Sequence, residues 1–324
     1  MVNFEVMYLN GNYVVYISRF NTLFETRTFT SLRLNEKLMP DFPDSIDLKI
    51  TNKCSWGCPF CHESSNPKGK SFNFDRTIKM LDSLPSLPIE VAIGGGNIFE
   101  CYEDFGRLYQ YLDSRGICPR FTINAKDLLD EEKSKLISEL VHGSINKPSI
   151  GISIKNKAEF TECMKKLNLH NLFLFNAVFH VIVGIFPFNE LEDIIKNYNK
   201  VSLCKFLILG YKQFGRASNS EINDLDNWRS VISKLLMKNR ITTTNITIGF
   251  DNLAVDQLNI KDCLFSNEWD SYFLGQDFSH TMYVDAVEET FAPTSRSPLS
   301  DRVSWDKYNN NIVDYFKKNK KEWN

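Results

Sequence analysis

The chain has 324 residues, 43% of them hydrophobic and 24% charged, with a formal net charge of −2. That is length enough for one sizeable α/β core, and the near-neutral balance supplies no general attraction for nucleic acid or for an anionic membrane. No run approaches the ~20 apolar residues of a membrane helix, and residues 1–9 lack the basic-then-apolar order of a secretory signal, so a cytoplasmic protein is expected.

Residues 5–9 and 13–18 flank Asn10-Gly11-Asn12, and Asn-Gly between β-rich runs is a hairpin signal. Residues 25–29 add a candidate third strand, and Pro40 and Pro43 mark a boundary. A βα rhythm follows. Apolar, β-rich runs start at 46, 89, 120, 149, 178 and 204, so successive starts are 26 to 43 residues apart. One strand plus one crossover helix needs about 30 residues, which argues for a parallel sheet, either open and doubly wound or barrel-like. The intervening segments carry helical stripes: Phe74, Ile78, Leu81 and Leu84; Phe105, Leu108, Tyr109 and Leu112; Leu136, Ile137, Leu140 and Val141; Leu191, Ile194, Ile195 and Tyr198; Trp228, Val231, Ile232, Leu235 and Leu236. In the tail, residues 246–250 and 281–287 read as strands and 305–318 as a terminal helix.

Eight cysteines lie at 54, 58, 61, 101, 118, 163, 204 and 263. The scattered ones suit a reducing compartment, and Cys101, Cys118, Cys163 and Cys204 read as small buried apolar residues. The first βα gap is the longest, and its excess holds the other three, in Cys54-Ser55-Trp56-Gly57-Cys58-Pro59-Phe60-Cys61-His62. Three thiols on one loop can wrap three corners of a cubane iron–sulfur cluster and leave the fourth iron open. Structural zinc is the alternative, with His62 or a distant residue as fourth ligand, but it usually pairs two short knuckles and no second one is visible. A cluster with four cysteine ligands would need a remote thiol such as Cys101 or Cys263.

The C-x3-C-x-aromatic-C form, with Phe60 as the aromatic, resembles the radical SAM superfamily, and the resemblance covers about residues 44–250. It implies a partial (β/α)6 TIM-like barrel of the α/β class, with a small N-terminal antiparallel β unit (1–42), a core (43–250) and a C-terminal α+β cap (251–324). It implies that Cys54, Cys58 and Cys61 ligate a [4Fe-4S] cluster and that S-adenosyl-L-methionine is the cofactor. Gly94, Gly95, Gly96 and Asn97 stand where the family usually has Gly-Gly-Glu-Pro against the cofactor's amine; the last two depart from it. Asn124, Ser153, Lys155 and Ile182 fall at strand ends where the family contacts ribose, carboxylate and adenine. Residues 209–217 and 249–252 resemble members with a SPASM/twitch-like extension, here without its auxiliary-cluster cysteines, and Arg216 is left open between a structural and a substrate-facing role.

The resemblance further implies reductive cleavage of the cofactor to a 5′-deoxyadenosyl radical that abstracts a substrate hydrogen, with the electron coming from a donor such as flavodoxin or ferredoxin. A peptide or protein substrate is expected from the tail. A small metabolite or nucleotide derivative is the alternative, as is a non-catalytic zinc or iron–sulfur interaction protein. The lack of a basic extension disfavours RNA.

Overall fold

The structure is a computed structural model describing residues 4–20, 24–33, 36–144, 149–169, 177–197, 204–239, 246–273 and 275–321; Tyr198 of the fourth stripe lies outside them. Strands β1 (Phe4–Asn10), β2 (Tyr13–Phe20) and β3 (Phe24–Ser31) form an antiparallel sheet. Asn10 pairs with Tyr13 across Gly11-Asn12, and Gly11 takes a φ of +61°, which a residue without Cβ adopts freely. A Cβ at that position would lie 1.7 Å from the Met39 carbonyl oxygen, so the turn is also closely packed. The sheet buries Tyr8, Tyr13, Val15 and Ile17. Asn10, Tyr8 and Tyr13 all donate to the buried Asp44 carboxylate, which ties this sheet to the start of the next strand.

The large sheet comprises β4 (Ser45–Thr51), β5 (Glu90–Gly95), β6 (Cys118–Asn124), β7 (Ile150–Ser153), β8 (Ala177–Ile182), β9 (Cys204–Leu209), β10 (Ile246–Phe250), β11 (Thr281–Asp285), β12 (Thr290–Ala292) and β13 (Val303–Ser304). Its order is β10-β9-β8-β7-β6-β5-β4-β11-β12-β13, parallel from β10 to β11 and antiparallel beyond. Helices α1 (Phe74–Leu81), α2 (Tyr102–Ser114), α3 (Ala125–Leu129), α4 (Glu131–His142), α5 (Lys157–Leu169), α6 (Phe188–Asn197) and α7 (Leu225–Asn239) connect the strands. The order follows the chain from β4 to β10, each strand pairing with the next. The six expected strands are all present.

Period-two alternation sorts the strand side chains. Phe121 stacks edge-on with Phe105 of α2, and Phe179 with Phe160 of α5, so one face packs on the helices. Ile46, Leu48, Ile50, Val91, Ile93, Ile123, Ile152, Val181 and Ile208 lie on that face, all nearly inaccessible. The opposite face carries Asp47, Ala92, Thr122, Asn124, Gly151, Ser153 and His180 and stays partly accessible, except at Gly151. This second face is the more accessible of the two.

The expected strand at 281–287 is present as β11, which pairs in parallel with β4, with Tyr283 opposite Asp47. One expectation about the tail needs correction. The expected terminal helix at 305–318 is broken: a 3₁₀ turn at Trp305–Tyr308 ends at Asn309 and Asn310, both left-handed, and α10 (Ile312–Asn319) follows with Asn311 as its cap. Asparagine tolerates that conformation, which a periodicity count does not see. Between β10 and β11 lie α8 (Asn252–Gln257) and α9 (Ser266–Tyr272). Among the described residues no helix is long and apolar enough to cross a membrane.

Candidate functional site

The cysteine loop leaves the carboxyl end of β4 and is closed at its base by backbone. Asn52 N–H donates to Lys70 O at 2.7 Å, Asn66 N–H to Asn52 O at 3.0 Å, and Cys54 N–H to Asn66 O at 3.0 Å. The Thr51 and Ser71 hydroxyls meet at 2.9 Å across the same neck. Inside the loop Gly57 has a φ of +60° with open space around it, so conformation rather than crowding calls for glycine there. Cys61 N–H then turns back to Cys58 O at 3.2 Å.

Arg216, left open by the sequence, clasps this loop. Its Nε donates to Cys58 O at 2.9 Å, its guanidinium to Ser65 O at 2.8 Å, and its backbone N–H to Cys61 O at 3.1 Å. Gly215 makes the approach possible: a Cβ there would lie 2.5 Å from His62 O.

Cys54, Cys58 and Cys61 are half-buried free thiols. Burial pushes the Cys54 thiol up, and the charges of Cys58 and Cys61 add to that rise. Thiolates that repel one another are stabilised by a bound cationic centre. No group of three or more His, Cys, Asp or Glu among the described residues already stands in metal-ligating geometry. The fit to an iron–sulfur cluster therefore rests on the donor chemistry: soft sulfur ligands on one short loop closed at the neck.

Of the glycine turn, Gly94 alone faces open space. Gly95, at φ +120°, and Gly96 press against the neck of the loop, where a Cβ would lie 2.5 Å from Thr51 O and 2.1 Å from Lys53 O, respectively. Gly96 N–H donates to Thr51 O and Asn97 N–H to Lys53 O, both at 2.7 Å. The Asn97 side chain is buried, accepting from Phe99 N–H at 3.0 Å and donating to Asp127 at 3.2 Å. The departures from the family's pattern thus serve the protein's own packing.

The other candidates gather on the β6–β8 rim. Asn124, Ser153 and His180 occupy one register row. The Asn124 side chain caps α3, its Oδ1 accepting from Lys126 N–H at 3.0 Å. Lys155 Nζ lies 5.6 Å from the Phe60 ring centroid, which brings those two together. Ile182 ends β8 opposite Leu209, followed by Gly184 at φ +77°.

No family model matches the sequence, and no curated protein matches it. Solved structures match the fold. Streptococcus suis SuiB bound to S-adenosylmethionine superposes with a TM-score of 0.61 at 14% identity, over 86% of this chain and 66% of that one. SuiB bound to precursor peptide SuiA gives 0.61 at 15% identity, over 86% and 65%. anSMEcpe with bound AdoMet and Cp18Cys peptide gives 0.51 at 14% identity, over 85% and 79%. Both proteins are radical SAM enzymes. This chain has the radical SAM fold. It spans about two-thirds, 66%, of the length of SuiB.

Within the radical SAM fold, the structure adds residues that the sequence reading passed over. Lys49 bridges Glu63 at 2.7 Å and Asp285 at 3.0 Å, and Arg302 joins Asp285 at 2.8 Å. These four groups are largely buried and lock the far end of the cysteine loop to β4 and β11. On the second face, crowding by the surrounding groups raises the Asp47 carboxyl although its surface reaches solvent, with Lys212 opposing the rise. The His180 imidazole lies over Gly151, where a Cβ would meet its Cε1 at 2.3 Å, and burial lowers its pKa to about 4. It is a neutral ring at neutral pH. A histidine in an apolar run carries no local signal, and only the register reveals its row-mates. Cys118, Cys163 and Cys204 are buried as expected, whereas Cys101 is only partly buried. Burial raises its thiol, with the Ser71 and Thr51 hydroxyls at the loop neck opposing the rise.

Proposed function

We propose that this chain is a radical S-adenosylmethionine enzyme that modifies a peptide or protein, with Cys54, Cys58 and Cys61 holding a [4Fe-4S] cluster. The observation that carries the reading is the three-thiol loop at the carboxyl end of β4, neck closed and back clasped by Arg216, on a radical SAM fold. When bound, the cluster supplies an electron that cleaves the cofactor to methionine and a 5′-deoxyadenosyl radical, which removes a substrate hydrogen.

The chain's own residues would do the rest. Phe60 would flank the cofactor from the loop. Gly94 and Gly95, unpaired with β6 beyond Ile93, would offer backbone carbonyls to its ammonium. Asn124, Ser153 and Lys155 would meet its sugar and carboxylate, and Ile182 would pack beside adenine. His180, neutral and at the same level as Ser153, would line the substrate space without adding charge. A small redox protein such as flavodoxin or ferredoxin would deliver the electron. The peptide reading draws support from the precursor peptide and the Cp18Cys peptide bound in the similar structures. We also propose the division into 1–42, 43–250 and 251–324 as functional parts.

The test is anaerobic reconstitution with iron, sulfide and zinc analysis, then incubation with reductant and S-adenosylmethionine. About four irons per chain and release of 5′-deoxyadenosine are expected. Zinc in place of iron would overturn the reading. A second reading, a cluster-binding protein without turnover, is favoured by one observation: Gly96 and Asn97 are committed to internal packing. A fully loaded cluster that yields no 5′-deoxyadenosine would select it.

A further inference from the structure

Between its clasped ends the cysteine loop hangs from two side chains. Ser55 Oγ donates to Glu100 at 2.7 Å in an exposed bond. Trp56, midway between Cys54 and Cys58, donates its indole Nε1–H to Asp127 Oδ2 at 3.1 Å. Asp127, on α3, is 1% exposed. Its Oδ1 accepts from Asn97 Nδ2 at 3.2 Å and from Lys133 Nζ at 2.7 Å. The ammonium groups of Lys126 and Lys133 each lie 5.0 Å from the centroid of the Trp56 ring, so the indole is held at its face as well as its edge.

A charge this deeply buried is stable only with its partners in place, and charge-assisted bonds in a dry site are strong and directional. Asp127 gathers one donor from the cysteine loop, one from the turn after β5 and one from α4. The two site-forming loops therefore share a single anchor. Gly57 follows Trp56 directly and, with nothing within 4 Å of its Cβ position, offers no side-chain restraint of its own.

We propose that Asp127 is a positioning residue: it fixes the middle of the cysteine loop through Trp56, in register with the Gly94–Asn97 turn through Asn97. The inference rests on the reading of the loop as the cluster site. Its consequence is that thiol placement at Cys54 and Cys58 depends on a carboxylate about 70 residues away in sequence.

The test uses the full chain with Asp127→Ala, Asp127→Asn, Trp56→Phe and the Trp56→Phe/Asp127→Ala double variant. In cluster-free protein, amide hydrogen exchange at 54–58 is expected to quicken by about tenfold in Asp127→Ala, while β5 to β8 keep wild-type protection. After reconstitution, chelator-driven loss of the cluster is expected to be about tenfold faster in Asp127→Ala, the usual size of effect for a group that orients a ligand. The EPR g-values of the reduced cluster shift with it. Asp127→Asn, which keeps an acceptor for the indole, falls between wild type and Asp127→Ala. Trp56→Phe removes only the N–H and follows Asp127→Ala in direction, and the double variant is no worse than Asp127→Ala alone. Should Asp127→Ala fail to fold, Trp56→Phe still decides the matter. Wild-type exchange, cluster loss and g-values in Trp56→Phe, or effects that multiply in the double variant, would overturn the proposal. If wild type itself takes up no cluster, the site reading fails, and the exchange measurement still judges Asp127.

Discussion

The two sides of the site are built differently. On the β4–β5 side, main chain meets main chain: Gly95 and Gly96 press against the loop neck and leave no room for a methyl group. On the β6–β8 side, Asn124, Ser153 and His180 line a partly accessible face at neighbouring register positions. Backbone contacts cannot adjust by changing rotamer, so the first side suits a rigid constellation. Side chains on an open face suit recognition of a ligand, and exchange of one residue there alters fit without altering the frame.

Breaking the rigid side should have the largest effect. Cys58→Ala is expected to abolish both cluster content and 5′-deoxyadenosine formation, read by iron and sulfide analysis and by chromatography. A loaded, active Cys58→Ala protein would refute the ligand assignment. Next, Gly96→Ala places a Cβ 2.1 Å from Lys53 O and should lower stability by about 1–3 kcal/mol in a urea titration. Gly94→Ala, with nothing within 4 Å, should stay within about 0.5 kcal/mol of wild type. Equal losses at the two glycines would remove the contrast between a packed neck and an open strand end.

A pH experiment probes the junction beneath the site. Burial raises Asp44 to about 6, against the bonds from Tyr13 and Asn10 that lower it. A raised carboxyl binds its proton more tightly in the folded state, so its contribution is fully present below the unfolded value near 4 and is lost as pH rises through 6. The difference in stability between wild type and Asp44→Asn should therefore shift against wild type between pH 4 and 6, by on the order of 2–3 kcal/mol. Taking the difference is necessary because the partly accessible His180 and the buried His280, both lowered to about 4, push total stability the other way over the same range. A pH-independent difference would show that Asp44 stays ionised. The smallest effect is expected at Cys204→Ala, a buried core thiol on β9: cluster content and turnover unchanged, with a stability loss of about 1 kcal/mol.

The strands and most helices were legible because their signals are local. Apolar β-branched runs at a repeat of about 30 residues mark βα units. The first gap was too long by one loop, and that loop held the cysteines. The hairpin at Gly11 was legible for the same reason, since a two-residue turn is coded by the two residues in it. The break at Asn309 and Asn310 was missed because an amphipathic stripe runs through it undisturbed.

By itself, then, the sequence determined what neighbours along the chain decide: the order of the strands along the chain, the faces of the helices, and three thiols within eight residues of one another. Tertiary structure alone decided what holds that loop in place. Arg216 reaches Cys58 across 158 positions, Asp285 reaches Lys49 across 236, and β11 slots in beside β4. It also decided that Gly96 and Asn97 serve the loop's neck. Such contacts depend on which chain segments the folded sheet brings side by side, and a charge, a glycine or an asparagine carries no mark of its distant partner until burial forces every polar group to find one.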